Sequence, residues 1–228
     1  MVYKSFYIRY TFNKTMNQLQ VKELHNVLKF KCKKCGKCCD STFIQLYPFD
    51  IKNICKKLNI KTKELNQKYL LLNEIEGIPR TFIKNRPTCP FKEDNQCTIY
   101  ENRPIRCKLF PLGRVFKEKK ILHVLPEEKC VGFQTGKKQT VSGWLKNEEI
   151  LEFEELTKNW NHFIINLKDN PILKEPMFKI IFQKAFYDFD DPFIKSQREK
   201  LRKEKGLEEF MENLYDIFNS MKDNLKSI

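Results

Sequence analysis

The side chains best suited to chemistry in this sequence are its cysteines, of which there are nine. Four lie within eight residues, at Cys32, Cys35, Cys38 and Cys39, and four follow singly at Cys89, Cys97, Cys107 and Cys130. Thiolates are strong ligands for zinc and for iron–sulfur clusters. We therefore expect these eight sulfurs to hold metal.

The spacing of the cysteines distinguishes between two kinds of metal site. Cys32, Cys35 and Cys38 follow the C-x2-C-x2-C pattern of a loop that wraps a [4Fe–4S] cluster, with a fourth ligand from elsewhere. Zinc sites usually pair two short C-x2-C units, whereas the later cysteines here are separated by seven, nine and twenty-two residues. The spacing favours an iron–sulfur cluster and leaves open a zinc site closed by isolated cysteines.

The adjacent pair Cys38–Cys39 bears on the number of centres. Neighbouring side chains point in different directions on a helix or a strand, so the pair more easily serves two centres than one ion. Eight sulfurs would complete two four-ligand centres, but a single centre with spare thiols also fits. Cys55 occupies an apolar helical position, which predicts a buried, inert thiol.

Cysteine use also predicts the compartment. Residues 1–15 lack the apolar run of a signal peptide, and no stretch approaches the ~20 apolar residues of a membrane span. We expect a cytoplasmic protein without a membrane partner, since thiols stay reduced in the cytosol.

The net charge of +14 is concentrated near the amino terminus, where residues 1–60 carry 12 Lys and Arg against 3 acids. A basic surface permits nucleic-acid binding, with Tyr3, Phe6, Tyr7, Tyr10 and Phe12 as stacking groups. The alternative is that cations beside the cysteines offset the negative charge of a thiolate site. These cations are Lys33, Lys34, Lys37, Arg103, Arg106 and Lys108.

The sequence pattern predicts an α+β fold that is mainly α. A cysteine-rich metal-binding region over residues 1–140 contains short strands and a hairpin, and residues 141–228 form helices packed on it. Strands are predicted over 3–12 and 42–47, helices over 16–28, 50–58 and 62–71, and a hairpin over 113–125 that turns at Glu118–Lys119. Asp50 is the predicted N-cap of its helix. Further helices carry Phe153 to Leu167, Pro176 to Phe189 and Leu207 to Phe218.

The cysteine motifs resemble a known family. Cys32-x-x-Cys35-x-x-Cys38-Cys39, Cys89-Pro90-Phe91, Cys97-x-Ile99-Tyr100-Glu101-x-Arg103-Pro104-x-x-Cys107 and Cys130-x-Gly132 resemble the CxxCxxCC zinc- or iron-chelating cysteine-cluster family of YkgJ-like proteins. The resemblance spans roughly residues 30–135 and implies a metal-binding domain. Some relatives look like flagellin lysine-N-methylases, which implies S-adenosylmethionine as a co-substrate. Lys108 departs from the arginine usual at that position, and the C-terminal helices match no pattern.

Three functions follow. The first is a metal-binding protein that handles electrons or metal, or uses the centre structurally, with or without a protein partner. The second, from the resemblance alone, is a relative or component of a protein lysine methylase. The third is a basic nucleic-acid-binding metal module. The sequence identifies no catalytic residue and no G-x-G-x-x-G loop.

Overall fold

The computed structural model describes residues 20–39, 44–84, 88–117, 120–125, 130–168 and 170–225. Its helices are α1 (Pro48–Leu58), α2 (Thr62–Tyr69), α3 (Ile105–Leu109), α4 (Val141–Asn147), α5 (Glu154–Lys168), α6 (Phe178–Tyr187), α7 (Pro192–Lys200) and α8 (Leu207–Leu225). Short strands lie in the first part of the chain and long helices in the last part. The predicted α+β fold, mainly α, is therefore confirmed.

The described residues form four small antiparallel sheets. The strands are β1 (Gln20–Lys22), β2 (Val27–Phe30), β3 (Gln45–Leu46), β4 (Leu70–Ile75), β5 (Ile78–Ile83), β6 (Lys92–Glu93), β7 (Gln96–Cys97), β8 (Gly113–Lys117), β9 (Lys120–Leu125) and β10 (Phe133–Thr140). They pair in the orders β1–β9–β8, β10–β2, β3–β5–β4 and β6–β7. Such short strands gain little stability from the hydrogen bonds between them, so they depend on packing against the rest of the protein.

The C-terminal helices are held by an aromatic core. Trp160 of α5 contacts Phe186 of α6 edge-on, with ring centroids 5.0 Å apart, and Phe218 of α8 lies 5.3 Å from Phe186. These rings are almost completely buried. Residues of α1, β5 and α3 belong to the same buried cluster, so the helices pack directly on the cysteine-rich region.

Several predicted elements differ from the structure. The predicted helix over 16–28 is wrong where the chain is described, because Gln20–Lys22 and Val27–Phe30 are strands paired with β9 and β10. Residues 27–30 alternate between exposed and buried positions, which is the period of a strand and not of a helix. The hairpin β4–β5 was not predicted. The strand predicted over 3–12 lies outside the described residues.

A partly buried ion pair ties α1 to the connection between α7 and α8. Arg198 donates to both carboxylate oxygens of Glu204, at 2.7 and 2.6 Å, and Lys52 of α1 approaches the same carboxylate at 3.2 Å. Burial raises the pKa of Glu204, but the hydrogen bonds and charge of Arg198 outweigh it and bring the pKa from 4.5 to about 2. The ion pair therefore stabilises the fold above pH 4.5 and is lost as the pH falls towards 2.

We expect Glu204→Gln to lower the free energy of unfolding by about 2 kcal/mol at neutral pH, because it leaves Arg198 without its charged partner. The difference from wild type should shrink as the pH falls below 4.5 towards 2. Urea unfolding over this pH range measures it. Glu64→Gln is the matched control, since Glu64 pairs with Lys68 on the surface and should change little. A difference that stays constant down to pH 2 would contradict the ion-pair argument.

Among the described residues, no helix is both long enough and apolar enough to cross a bilayer.

Candidate metal centre

The first four cysteines lie on a loop that leaves β2 and ends in a single 3-10 turn, Lys37–Cys39. The Cys39 amide closes this turn by donating to the Gly36 carbonyl at 2.9 Å. Gly36 has a φ of +68°, and a Cβ there would come within 2.6 Å of the Lys92 side chain. Only glycine allows the loop both this conformation and this approach to the β6–β7 hairpin.

Cys89 and Cys97 reach the same region through the β6–β7 hairpin. The Cys89 amide donates to the Cys39 carbonyl at 3.0 Å, so the backbone itself joins the two segments. The Lys92 amide then donates to the Cys89 carbonyl at 3.0 Å and starts the hairpin whose second strand ends at Cys97. The hairpin therefore places both cysteines beside the 3-10 turn.

Cys107 is carried by the five-residue helix α3, which is held at both ends. At its start, the Ile105 amide donates to Oδ1 of Asp50 at 2.9 Å. At its end, the Trp144 indole approaches the Leu109 carbonyl at 3.4 Å. A helix this short has little stability alone, so these contacts fix where Cys107 points.

Five thiols meet where these segments converge, and we call them the thiol cluster: Cys38, Cys39, Cys89, Cys97 and Cys107. Cys39 shares side-chain hydrogen bonds with Cys38 and with Cys89. Cys107 interacts electrostatically with Cys39, Cys38 and Cys97. Cys38 and Cys39, the adjacent pair that more easily serves two centres or a cluster and its neighbour, both interact electrostatically with Cys107. Whether they share a centre stays a prediction.

The pKa values of the thiol cluster reflect burial and crowding. The hydrogen bond from Cys38 lowers the pKa of Cys39, but the hydrogen bond with Cys89 and burial raise it to a net value of about 11. The hydrogen bond from Cys39 lowers the pKa of Cys89. Burial raises the pKa of Cys97 and raises that of Cys107 well above 9.0. Crowded, partly buried thiols resist ionisation until a cation offsets their charge.

Three of the other cysteines lie on segments next to this cluster, and the fourth is buried in α1. Cys32 interacts electrostatically with Tyr100, three residues after Cys97. Cys35 directly precedes Gly36, which contacts the hairpin. Cys130 lies beside the start of the loop, because the Lys31 amide donates to the Gly132 carbonyl at 3.2 Å. Cys55 is buried in α1, as predicted, and is 7% exposed.

Cations near the cysteines are mostly engaged by other groups. Arg103 pairs with Glu148 and stacks on the Tyr100 ring, with its guanidinium 3.9 Å from the centroid. Its charge also lowers the pKa of Cys97 against the larger effect of burial. Lys34 lies 4.8 Å from the centre of the same ring, and Lys108 pairs with Glu149 at 3.3 Å. Arg103 therefore acts electrostatically on one member of the thiol cluster.

The donor set fits a metal although the geometry is not yet that of a coordination shell. Within the described ranges, no three Cys, His, Asp or Glu side chains are already arranged to hold a metal ion. The thiols nevertheless come from three separate segments: Cys39 shares hydrogen bonds with Cys38 and Cys89, and Cys97 and Cys107 interact electrostatically with members of the cluster. Four sulfurs satisfy either a zinc ion or the irons of a [4Fe–4S] cluster. Side-chain rotation about Cα–Cβ, coupled to deprotonation, would turn these contacts into metal ligation.

Sequence reasoning missed the residues that support the site. Asp50 was predicted as the N-cap of α1, but it lies in the first turn, and its Oδ2 accepts from the Tyr47 amide at 2.9 Å. Its other oxygen reaches Ile105, fifty-five residues away. An aspartate in the first turn of an otherwise apolar helix face was the available sign of such a contact, because a buried carboxylate needs hydrogen-bond donors. Its long-range partner could not be read from the sequence.

Comparison with known proteins gives a match to a family model that covers the cysteine motifs. Residues 31–135 match the CxxCxxCC family model, which is described as a "Putative zinc- or iron-chelating domain". No curated protein and no solved structure matches the chain. The matched range contains all eight cysteines from Cys32 to Cys130 that the sequence predicts as metal ligands, and also Cys55.

Proposed function

We propose that residues 31–135, a domain of the CxxCxxCC family, hold a thiolate-bound metal centre whose ligands come from the thiol cluster. The observation that carries the proposal is the convergence of five thiols from three segments of the chain. Without metal, the pKa values of Cys39, Cys97 and Cys107 lie above their usual range, so these thiols stay protonated and neutral at pH 7. A bound metal would replace their protons and link the three segments.

An iron–sulfur cluster is the centre we favour. A zinc ion takes four ligands, but this site offers five thiols, with Cys32, Cys35 and Cys130 on adjoining segments. A polynuclear cluster, or two centres, uses such a set more fully than one ion does. The C-x2-C-x2-C spacing points the same way. Zinc is the alternative that the experiment below distinguishes.

Electron handling is the role that the position of the site supports best. Cys32 and Cys38 are exposed, so a centre bound here lies close to the surface. An electron-transfer centre needs this access, whereas a purely structural one does not. Arg103 would offset the charge of the filled site. We place the protein in the cytoplasm, where thiols of this kind remain reduced.

Anaerobic purification followed by absorption spectroscopy and metal analysis tests the proposal. We expect a brown protein with iron and acid-labile sulfide, whose visible absorption bleaches on reduction. A colourless protein with stoichiometric zinc would retain the metal centre but reject iron–sulfur and electron handling. A protein that takes up neither metal during reconstitution would reject the proposed function.

A further inference from the structure

We propose that Asp50 is the positioning residue for Cys107: its carboxylate joins the first turn of α1 to the start of α3 and so fixes the helix that carries this thiol. The inference rests on the proposed function only for its consequence for metal binding. Its geometric part concerns the placement of one cysteine, which can be measured without metal.

The contacts of Asp50 are unusual for a helix-capping residue. Oδ2 accepts from the Tyr47 amide at 2.9 Å, which is local and stabilises the start of α1. Oδ1 accepts from the Ile105 amide at 2.9 Å, which is the first N–H of α3. That amide has no intrahelical acceptor, so the carboxylate satisfies it. Each oxygen thus holds a different helix.

Burial makes the connection rigid. Asp50 is 3% exposed and Ile105 is 3% exposed, so water cannot replace either partner without opening the interface. A buried carboxylate is costly unless donors satisfy it. The two amides do so, although burial still raises the pKa of Asp50 to about 7.

The connection reaches Cys107 through one helical turn. The amides of Cys107 and Lys108 both donate to the Pro104 carbonyl, at 2.8 and 3.0 Å, so Cys107 follows Ile105 as part of one unit. Asp50 is also close enough to Cys107 to act on it electrostatically. Displacing Ile105 would therefore move the Cys107 thiol relative to Cys38 and Cys39. Groups that orient a metal ligand typically change affinity by about 10–100-fold when removed.

The chain offers a matched control in Asp191. Its Oδ1 also accepts from two backbone amides, those of Phe193 at 3.0 Å and Ile194 at 3.4 Å. It caps α7, a helix without cysteines. Asp50→Asn and Asp191→Asn both replace an aspartate that accepts from two amides. Only Asp50→Asn removes an acceptor, because Asp191 uses one oxygen for both amides, and only Asp50 holds a thiol-bearing helix.

The test measures alkylation of individual cysteines in reduced, metal-free protein by N-ethylmaleimide, followed by peptide mass spectrometry. We expect Asp50→Asn to raise the labelling rate of Cys107 relative to Cys130 by about tenfold. Asp191→Asn should leave the ratio unchanged. An unchanged ratio in Asp50→Asn would overturn the proposal. A parallel rise at Cys107 and Cys130 would also overturn it, because it would indicate general unfolding.

Zinc titration against a competing chelator then tests the consequence for metal binding. Asp50→Asn should bind Zn²⁺ about 10–100-fold more weakly than wild type, and Asp191→Asn with wild-type affinity. Equal affinities in all three proteins would overturn the effect of Asp50 on the centre. Failure of wild type to bind any metal would reject the proposed function, while the labelling ratio would still decide whether Asp50 positions Cys107.

Discussion

Cys107→Ser is expected to abolish stoichiometric metal binding, with a loss of affinity of about a hundredfold or more. Cys107 interacts electrostatically with all four other members of the thiol cluster and lies on the helix that is anchored at both ends. Among the described residues, Cys107 is the one thiol that α3 contributes to the cluster. A serine hydroxyl is a poor ligand for zinc and for iron–sulfur clusters, so the remaining thiols would form an incomplete site. Metal analysis and absorption spectroscopy after anaerobic reconstitution provide the measurement.

Cys55→Ala is the control for this substitution. Cys55 is buried in α1, and burial raises its pKa to about 12, so it stays a neutral thiol in the folded protein. We expect the variant to keep full metal occupancy and to lose only packing energy. Full occupancy in Cys107→Ser, or loss of metal in Cys55→Ala, would contradict the assignment of Cys107 to the centre.

Removing the metal is expected to destabilise the cysteine-bearing loops far more than the C-terminal helices. Metal binding contributes apparent free energies of about 10–16 kcal/mol in small zinc domains, where folding and binding are coupled. Here the loop over 31–39 and the β6–β7 hairpin have few backbone hydrogen bonds of their own. Helices α5, α6 and α8 instead pack through the ring contacts of Trp160, Phe186 and Phe218.

Hydrogen exchange with and without a chelator measures this difference. We expect exchange to rise in residues 31–39 and 88–109 on metal removal and to change little in α5, α6 and α8. Titration of the chelator into a protein already stripped of metal controls for direct effects of the chelator. A uniform rise across the chain would show that one cooperative unit unfolds, and would argue against the predicted division near residue 140.

Part of the helical structure of the C-terminal region can be predicted from the spacing of its hydrophobic residues alone. Trp160, Ile164 and Leu167 recur at helical spacing, and α5 buries these three residues. The helix ends at Lys168, and a 3-10 turn over Pro171–Lys174 follows, with Asn170 as its N-cap. Such patterns report local structure because the period of an amphipathic helix is set by its backbone geometry.

Short strands were harder to predict. Residues 20–28 contain too few alternating positions to outweigh their helical propensity, and β1 and β2 form because β9 and β10 supply partners more than a hundred residues away. The hairpin predicted over 113–125 was easier, since β8 and β9 are neighbours along the chain and pair antiparallel. The predicted turn residues Glu118–Lys119 lie outside the described residues. Local pairing is visible in a sequence, whereas distant pairing is decided by the rest of the fold.

The sequence by itself determined the donor chemistry of this protein: eight cysteines in ordered motifs, which match the CxxCxxCC family over residues 31–135. Only the tertiary structure decided which thiols contact one another and which group fixes them. It brought Cys38 and Cys39 to Cys107 together and gave Asp50 a partner in α3. The physical reason is that the type and spacing of the cysteines are properties of the sequence itself. Which thiols become neighbours depends on contacts between distant segments, such as the hydrogen bond from Ile105 to the buried Asp50.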